Sequence, residues 1–185
     1  MDSFVGHLMA IYALTLLTGD GYIGASFDGA IFHAFGRTGA PRIMPFRTIS
    51  GDESIAFGAC ISGVRVAASY PGSPSSRCMD KLFSLAEAVD MHVEWSANEK
   101  VALETAVGAS IGGVPALMAC KGVGFNVALD PIMVANLTDV GAGLVILLGD
   151  DPGAWASQND QDTRPIAAGT ELPMMEPATP AEGVQ

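Results

Sequence analysis

Cysteine is nearly absent from this chain. Cys60, Cys78 and Cys120 stand far apart, and no C-x-x-C occurs. That argues against a disulfide framework and against an iron–sulfur cluster carried on this chain. Basic residues are scarce as well, with 9 Lys and Arg against 20 Asp and Glu, a formal charge of -11. Nucleic acid and anionic membrane are poor partners for such a chain, because phosphate contacts need a basic face. A phosphate-bearing cofactor held through a metal or by another chain remains compatible. His7, His33 and His92 are scattered, none at metal spacing from carboxylates, so zinc is not expected. A membrane-length apolar run is also missing. Phe4 to Leu17 is mostly apolar but shorter than the roughly 20 residues a spanning helix needs. It follows Asp2 with no basic segment, so a signal peptide is not expected, and the stretch reads as a buried or partner-facing helix. Cytoplasm is the expected compartment.

What is present is apolar residues and glycine. The 185 residues are 49% hydrophobic and only 16% charged, which suits one globular domain with a sizeable core and much buried surface. Residues 1 to 46 form an amino-terminal extension, carrying the apolar stretch and Gly19-Asp20-Gly21. Residues 47 to 164 read as the main domain. A helix over Asp52 to Ser62, capped near Ser50, leads into a strand over Val64 to Tyr70 that ends at Pro71-Gly72-Ser73-Pro74. Ser75 to Val89 is the next helix, with Met79, Leu82, Phe83, Leu85 and Ala86 inward. His92 to Trp95 is a short strand, Asn98 to Ile111 a helix, and Ala116 to Cys120 a strand. Another helix runs from Gly122 to about Leu137, and Leu144 to Leu148 is a last apolar strand. Residues 165 to 185 read as a linker or frayed tail without a core.

Short apolar strands separated by helices mean an α/β fold, a doubly wound and mostly parallel sheet with helices on both faces. Ligands of such sheets sit at the carboxyl ends of the strands. Those ends carry Gly72-Ser73, Ser96 to Glu99, Lys121-Gly122 and Asp150 to Gln158.

Several blocks, in order and at near-normal spacing, carry a resemblance. They are Tyr70-Pro71-Gly72-Ser73-Pro74-Ser75, Val93 to Glu104, Lys121-Gly122-Val123-Gly124-Phe125-Asn126, Gly149 to Gly153 with Ser157 to Asp162, and Leu172 to Pro177. Together they resemble the amino-terminal domain of the indolepyruvate:ferredoxin oxidoreductase alpha subunit, in the 2-oxoacid:ferredoxin oxidoreductase superfamily. The resemblance implies the pyrimidine-binding type of thiamine diphosphate domain. It also implies oxidative decarboxylation of a 2-oxoacid, with the acyl group passed to coenzyme A and electrons to iron–sulfur clusters and ferredoxin. Thiamine diphosphate would be shared with a partner domain, while Mg2+ and the clusters would sit on diphosphate-binding and ferredoxin-type subunits.

Three features depart from the family pattern. Its alpha subunit continues past the Met-Glu-Pro linker into further domains, residues 1 to 46 have no counterpart, and the magnesium signature is incomplete. Gly19-Asp20-Gly21 should be followed by an Asn, yet Pro45 to Ile49 fill that window and the next Asn is Asn98. The Gly-Asp-Gly reads as a decoy.

Thiamine catalysis needs one well-placed carboxyl in a dry pocket, sharing a proton with N1′ of the aminopyrimidine. Glu99 matches the family's glutamate by position. Its spacing from Ser96 also fits a capping box, with Ser96 as N-cap and Glu99 at N3. By the same resemblance Ser73 faces the substrate, where an ordinary Pro-Gly-Ser-Pro turn is the alternative, and Gly72 allows close backbone approach. Lys121, Gly122 and Asn126 are candidate cofactor contacts, and Gln158, with Asn159 and Gln161, a candidate substrate contact. Each of these polar residues equally suits a solvated surface. Glu104 is expected to pair with Lys100 at i,i+4. Two other functions fit the chain: the alpha subunit of a two-chain non-oxidative 2-oxoacid decarboxylase, and a non-catalytic remnant that folds or merely binds partners.

Overall fold

The computed structural model describes residues 49–138, 140–154 and 157–185, together with the backbone of residues 8–12. Six strands form one sheet: β1 (Leu8–Tyr12), β2 (Val66–Ser69), β3 (His92–Trp95), β4 (Ala116–Lys121), β5 (Leu144–Gly149) and β6 (Met174–Met175). Their order across the sheet is β3-β2-β4-β5-β1-β6, and every pairing is parallel. Helices α1 (Gly51–Ile61), α2 (Ser76–Val89), α3 (Glu99–Ile111), α4 (Gly122–Thr138), α5 (Arg164–Ala168) and α6 (Pro180–Val184) complete the chain. This is the α/β architecture that the alternation of strands and helices implies.

Because side chains alternate along a strand, each central strand feeds both faces. Ala68, Met118, Cys120, Ile146 and Leu148 face α3 and α4, packing with Leu103, Phe125 and Ile132. Ala67, Leu117, Ala119 and Leu147 face α1 and α2, packing with Ile55, Met79 and Leu82. The chain leaves β2 for one face through α2 and leaves β4 for the other through α4. Since β2 and β4 are neighbours, their carboxyl ends part to opposite sides, which is the topological switch point where open α/β sheets hold ligands.

Helix α1 starts as expected. Ser50 Oγ accepts from the Glu53 N–H at 3.3 Å, and the Ser50 N–H donates to Glu53 Oε2 at 3.1 Å, a reciprocal capping box. Four expectations need correction. Leu8–Tyr12 is a strand inserted between β5 and β6, not part of a helix over Phe4 to Leu17. A short apolar run has no period that separates a buried strand from a helix. The rest of that run, and Gly19-Asp20-Gly21, lie outside the described residues. Phe83 does not join the core: it is exposed and rests against Trp95 with ring centroids 5.5 Å apart.

The capping box at Ser96 is the third correction. Asn98 is the N-cap of α3, its Oδ1 accepting from the Val101 N–H at 2.9 Å, and Glu99 is the first helical residue. Ser96 cannot cap because its N–H still extends the sheet, donating to Ser69 O at 2.7 Å, while its hydroxyl donates to Glu94. The fourth correction concerns residues 165–185, which dock rather than fray. Ala167, Thr170 and Leu172 are buried, β6 pairs with β1, and α6 lies on α1. The close approach needs Gly58, where a Cβ would fall 2.8 Å from Val184 O. Among the described residues, no helix is long and apolar enough to cross a membrane.

Candidate functional site at the carboxyl ends of the strands

The turn after β2 and the start of α4 after β4 meet at the switch point. Ser73, Lys121, Gly122, Val123, Gly149, Asp150, Asp151, Ser157, Asn159 and Gln161 line a small solvent-open cleft. The turn packs closely on its neighbours. A Cβ on Gly72 would lie 3.0 Å from Lys121 Cδ, and one on Gly149 would lie 2.8 Å from Pro74 Cγ. Glycine at 72 therefore lets the lysine stem run across the turn. The Ser73–Pro74 peptide is cis, and Ser73 is exposed to the cleft.

Asp150 closes the floor. It is only 4% exposed, and Thr163 satisfies it twice, its N–H donating to Oδ2 and its hydroxyl to Oδ1, both at 2.7 Å. The same carboxylate sits against Gly122, where a Cβ would be 2.3 Å from Oδ1, so it occupies the positive end of α4. Gln161 makes a second tie, its side-chain amide donating to Gly122 O at 3.0 Å and pairing reciprocally with Asn126 at 2.8 and 3.1 Å. Both ends of the loop from residue 150 to 163 are thus pinned to the first turn of α4.

Glu99 stands on the other side of that turn, outside the cleft lining. It is 6% exposed, and its carboxyl presses on Gly124, where a Cβ would meet Oε1 at 2.4 Å and Cδ at 2.9 Å. Among the described residues it has no hydrogen-bond or ion-pair partner. Burying a carboxyl without a hydrogen-bond partner is costly. Burial, with the Glu99 and Asp150 carboxylates adding to it, pushes the Cys120 thiol well up, so the thiol stays protonated and serves as packing.

The structure brings Ser73, Lys121 and Gly122 to one cleft, with Gly72 beneath the lysine stem. Glu99 lies behind Gly124. Asn126 is occupied by Gln161 rather than turned to the cleft, and Gln158 is exposed and absent from the lining, which takes Ser157, Asn159 and Gln161 instead. Sequence reasoning missed Thr163 and the role of Gly124. A Thr just before a helix-starting Arg-Pro pair was the available signal for the first, and a glycine in the opening turn of an apolar helix for the second. Lys100 pairs with Glu104 at 4.0 Å and with Asp130 at 2.8 Å, on an exposed surface. Among the described residues, no group of three or more His, Cys, Asp or Glu is placed to hold a metal ion.

Residues 58–182 match the family described as "Pyruvate flavodoxin/ferredoxin oxidoreductase, thiamine diP-bdg". Curated relatives called indolepyruvate oxidoreductase subunit IorA are 44% identical over 132 residues in Pyrococcus abyssi and 46% identical over 132 residues in Methanothermobacter thermautotrophicus. These alignments take in 71% of this chain but only 20% and 21% of the relatives, so the chain spans about a fifth of their length. Among solved structures, a 2-oxoglutarate:ferredoxin oxidoreductase from Magnetococcus marinus superposes with a TM-score of 0.52 at 13% identity. It covers 74% of this chain and 32% of its own, a likeness of fold alone.

Proposed function

The chain belongs to the pyruvate flavodoxin/ferredoxin oxidoreductase thiamine diphosphate-binding family, and from that premise we propose that it supplies the pyrimidine-binding half of a shared cofactor site. The whole enzyme would be a 2-oxoacid:ferredoxin oxidoreductase, with an aryl pyruvate such as indolepyruvate as the nearest substrate. One observation carries the reading: the Glu99 carboxyl is buried, unpartnered among the described residues, and lodged in space that only a glycine at 124 leaves open. A carboxyl so placed fits a heterocycle that offers a ring nitrogen.

Thiamine diphosphate, when bound, supplies the electron sink for decarboxylation. In this reading Glu99 holds a proton at N1′ of the aminopyrimidine, a general acid–base role that needs a fixed distance and little competing water. Gly124 leaves Glu99 that room, and burial keeps it from water. Ser73 offers its hydroxyl to the substrate side of the cleft, and Gly72 and Gly122 let the backbone approach. Asp150 and Thr163 hold the loop that frames the cleft. The diphosphate, Mg2+ and the iron–sulfur clusters belong, in this reading, to partner chains, with ferredoxin as electron acceptor.

Purification from native cells under anaerobic conditions tests it, by identifying every chain and cofactor that elutes together. A partner with a complete Gly-Asp-Gly and Asn signature plus a cysteine-rich iron–sulfur chain is the expected result. A signature-bearing partner without clusters would mean a non-oxidative decarboxylase. Elution alone, without thiamine diphosphate, would mean a non-catalytic remnant.

A further inference from the structure

The cleft at the switch point contains an ammonium with no partner among the described residues. Lys121 ends β4, is half-buried, and is the sole cation among the described residues of the lining. It forms no hydrogen bond or ion pair with any described residue. Asp150 does not claim it: Thr163 takes up both of its oxygens at 2.7 Å, and the carboxylate already occupies the α4 amino end. Lys81, Lys100 and Arg164 each have a carboxylate within 4.0 Å. The Lys121 stem is steered as well, since Gly72 leaves room for Cδ and Cγ to lie across the turn that presents Ser73.

An ammonium with no partner among the described residues of a cleft can hold one negative group. The geometry points to Lys121 as the residue that recognises the carboxylate of the substrate, with Ser73 in the same lining. This rests on the proposed 2-oxoacid reading and adds to it the group that reads the acid. The ammonium holds the carboxylate before bond cleavage as well as during it, so its loss acts on KM more than on kcat.

The test uses the complex isolated with its partner chains and the 2-oxoacid that it oxidises. Lys121→Gln is expected to raise KM about 10- to 100-fold, the loss of one charge-assisted hydrogen bond, with kcat changed by less than about threefold. Lys121→Arg should recover most of that loss. As a second readout, acylation of the Lys121 amine, followed by mass spectrometry, should slow when the 2-oxoacid is present and not when its neutral amide is. An unchanged KM in Lys121→Gln, or equal labelling with acid and amide, would overturn the assignment while leaving the proposed function standing. A wild-type complex that oxidises no 2-oxoacid would remove both.

Discussion

Replacing Gly124 by alanine separates the fold's tolerance from the site's. The new Cβ would stand 2.4 Å from Glu99 Oε1, 2.8 Å from Cγ and 2.9 Å from Cδ, closer than real Cβ atoms come. The atoms in the way belong to a side chain, so the conflict resolves by swinging the carboxyl out of its niche. That costs about 0.5–1.5 kcal/mol for an off-rotamer side chain. Against it, alanine is better than glycine in a helix by about 1 kcal/mol. The two nearly cancel, and Tm should move by no more than about 3 °C. The ligand does not share in the cancellation. Losing a hydrogen bond to a charged group costs about 1.5–3 kcal/mol, so the complex should bind thiamine diphosphate about 10- to 100-fold more weakly. Isothermal titration of the wild-type and Gly124→Ala complexes measures this. Glu99→Ala makes the control, because it empties the niche and the added methyl should then cost nothing further. Unchanged affinity in Gly124→Ala, or additive losses in the double variant, would refute the placement of Glu99 at the cofactor.

Three further outcomes follow from the packing. Burial, outweighing the nearby Arg77, raises the Asp52 pKa, so its folded value lies above its unfolded one. The penalty for ionising it is absent below the unfolded pKa and complete above the folded one, so Asp52→Asn should stabilise the fold at pH 7. The gain should vanish as the pH falls below about 4 in thermal melts. Gly58→Ala drives a Cβ into Val184 O, backbone that cannot rotate away, and should release α6 from α1. Hydrogen exchange over residues 180–185 should then quicken with little change around β4 and β5. Thr163→Val leaves Asp150 buried with one hydrogen bond in place of two and should cost about 1–3 kcal/mol, read by denaturant unfolding.

The sheet was legible because parallel strands covered on both faces are continuous apolar runs. Val66–Ser69, Ala116–Lys121 and Leu144–Gly149 lie within a residue or two of where their composition puts them. The rule that ligands meet such sheets at the carboxyl ends then located Ser73, Lys121 and Gly122 without knowledge of the strand order. That order depends on which face each crossover takes, and no local pattern encodes it. Leu8–Tyr12 stayed hidden because its partners are more than 130 residues away in the chain. The docked tail was misread for a related reason: Ala, Pro and Glu look unstructured until glycines at 58 and 183 are seen to let two helices touch. Within the site, the family resemblance pointed to Glu99 but not to its niche. Gly124 and Thr163 act by what they leave open or tie down, and a sequence carries no signal of distance.

The central claim is that Glu99 governs a proton at the aminopyrimidine ring. The most direct measurement is the rate of deuterium exchange at C2 of thiamine diphosphate bound to the isolated complex, followed by quenched-flow NMR for wild type and Glu99→Gln. Loss of general acid–base assistance predicts exchange slowed about 100-fold or more, with the cofactor still retained at saturating concentration. Exchange at the wild-type rate in Glu99→Gln would contradict the account, because the buried carboxyl would then have no part in the chemistry.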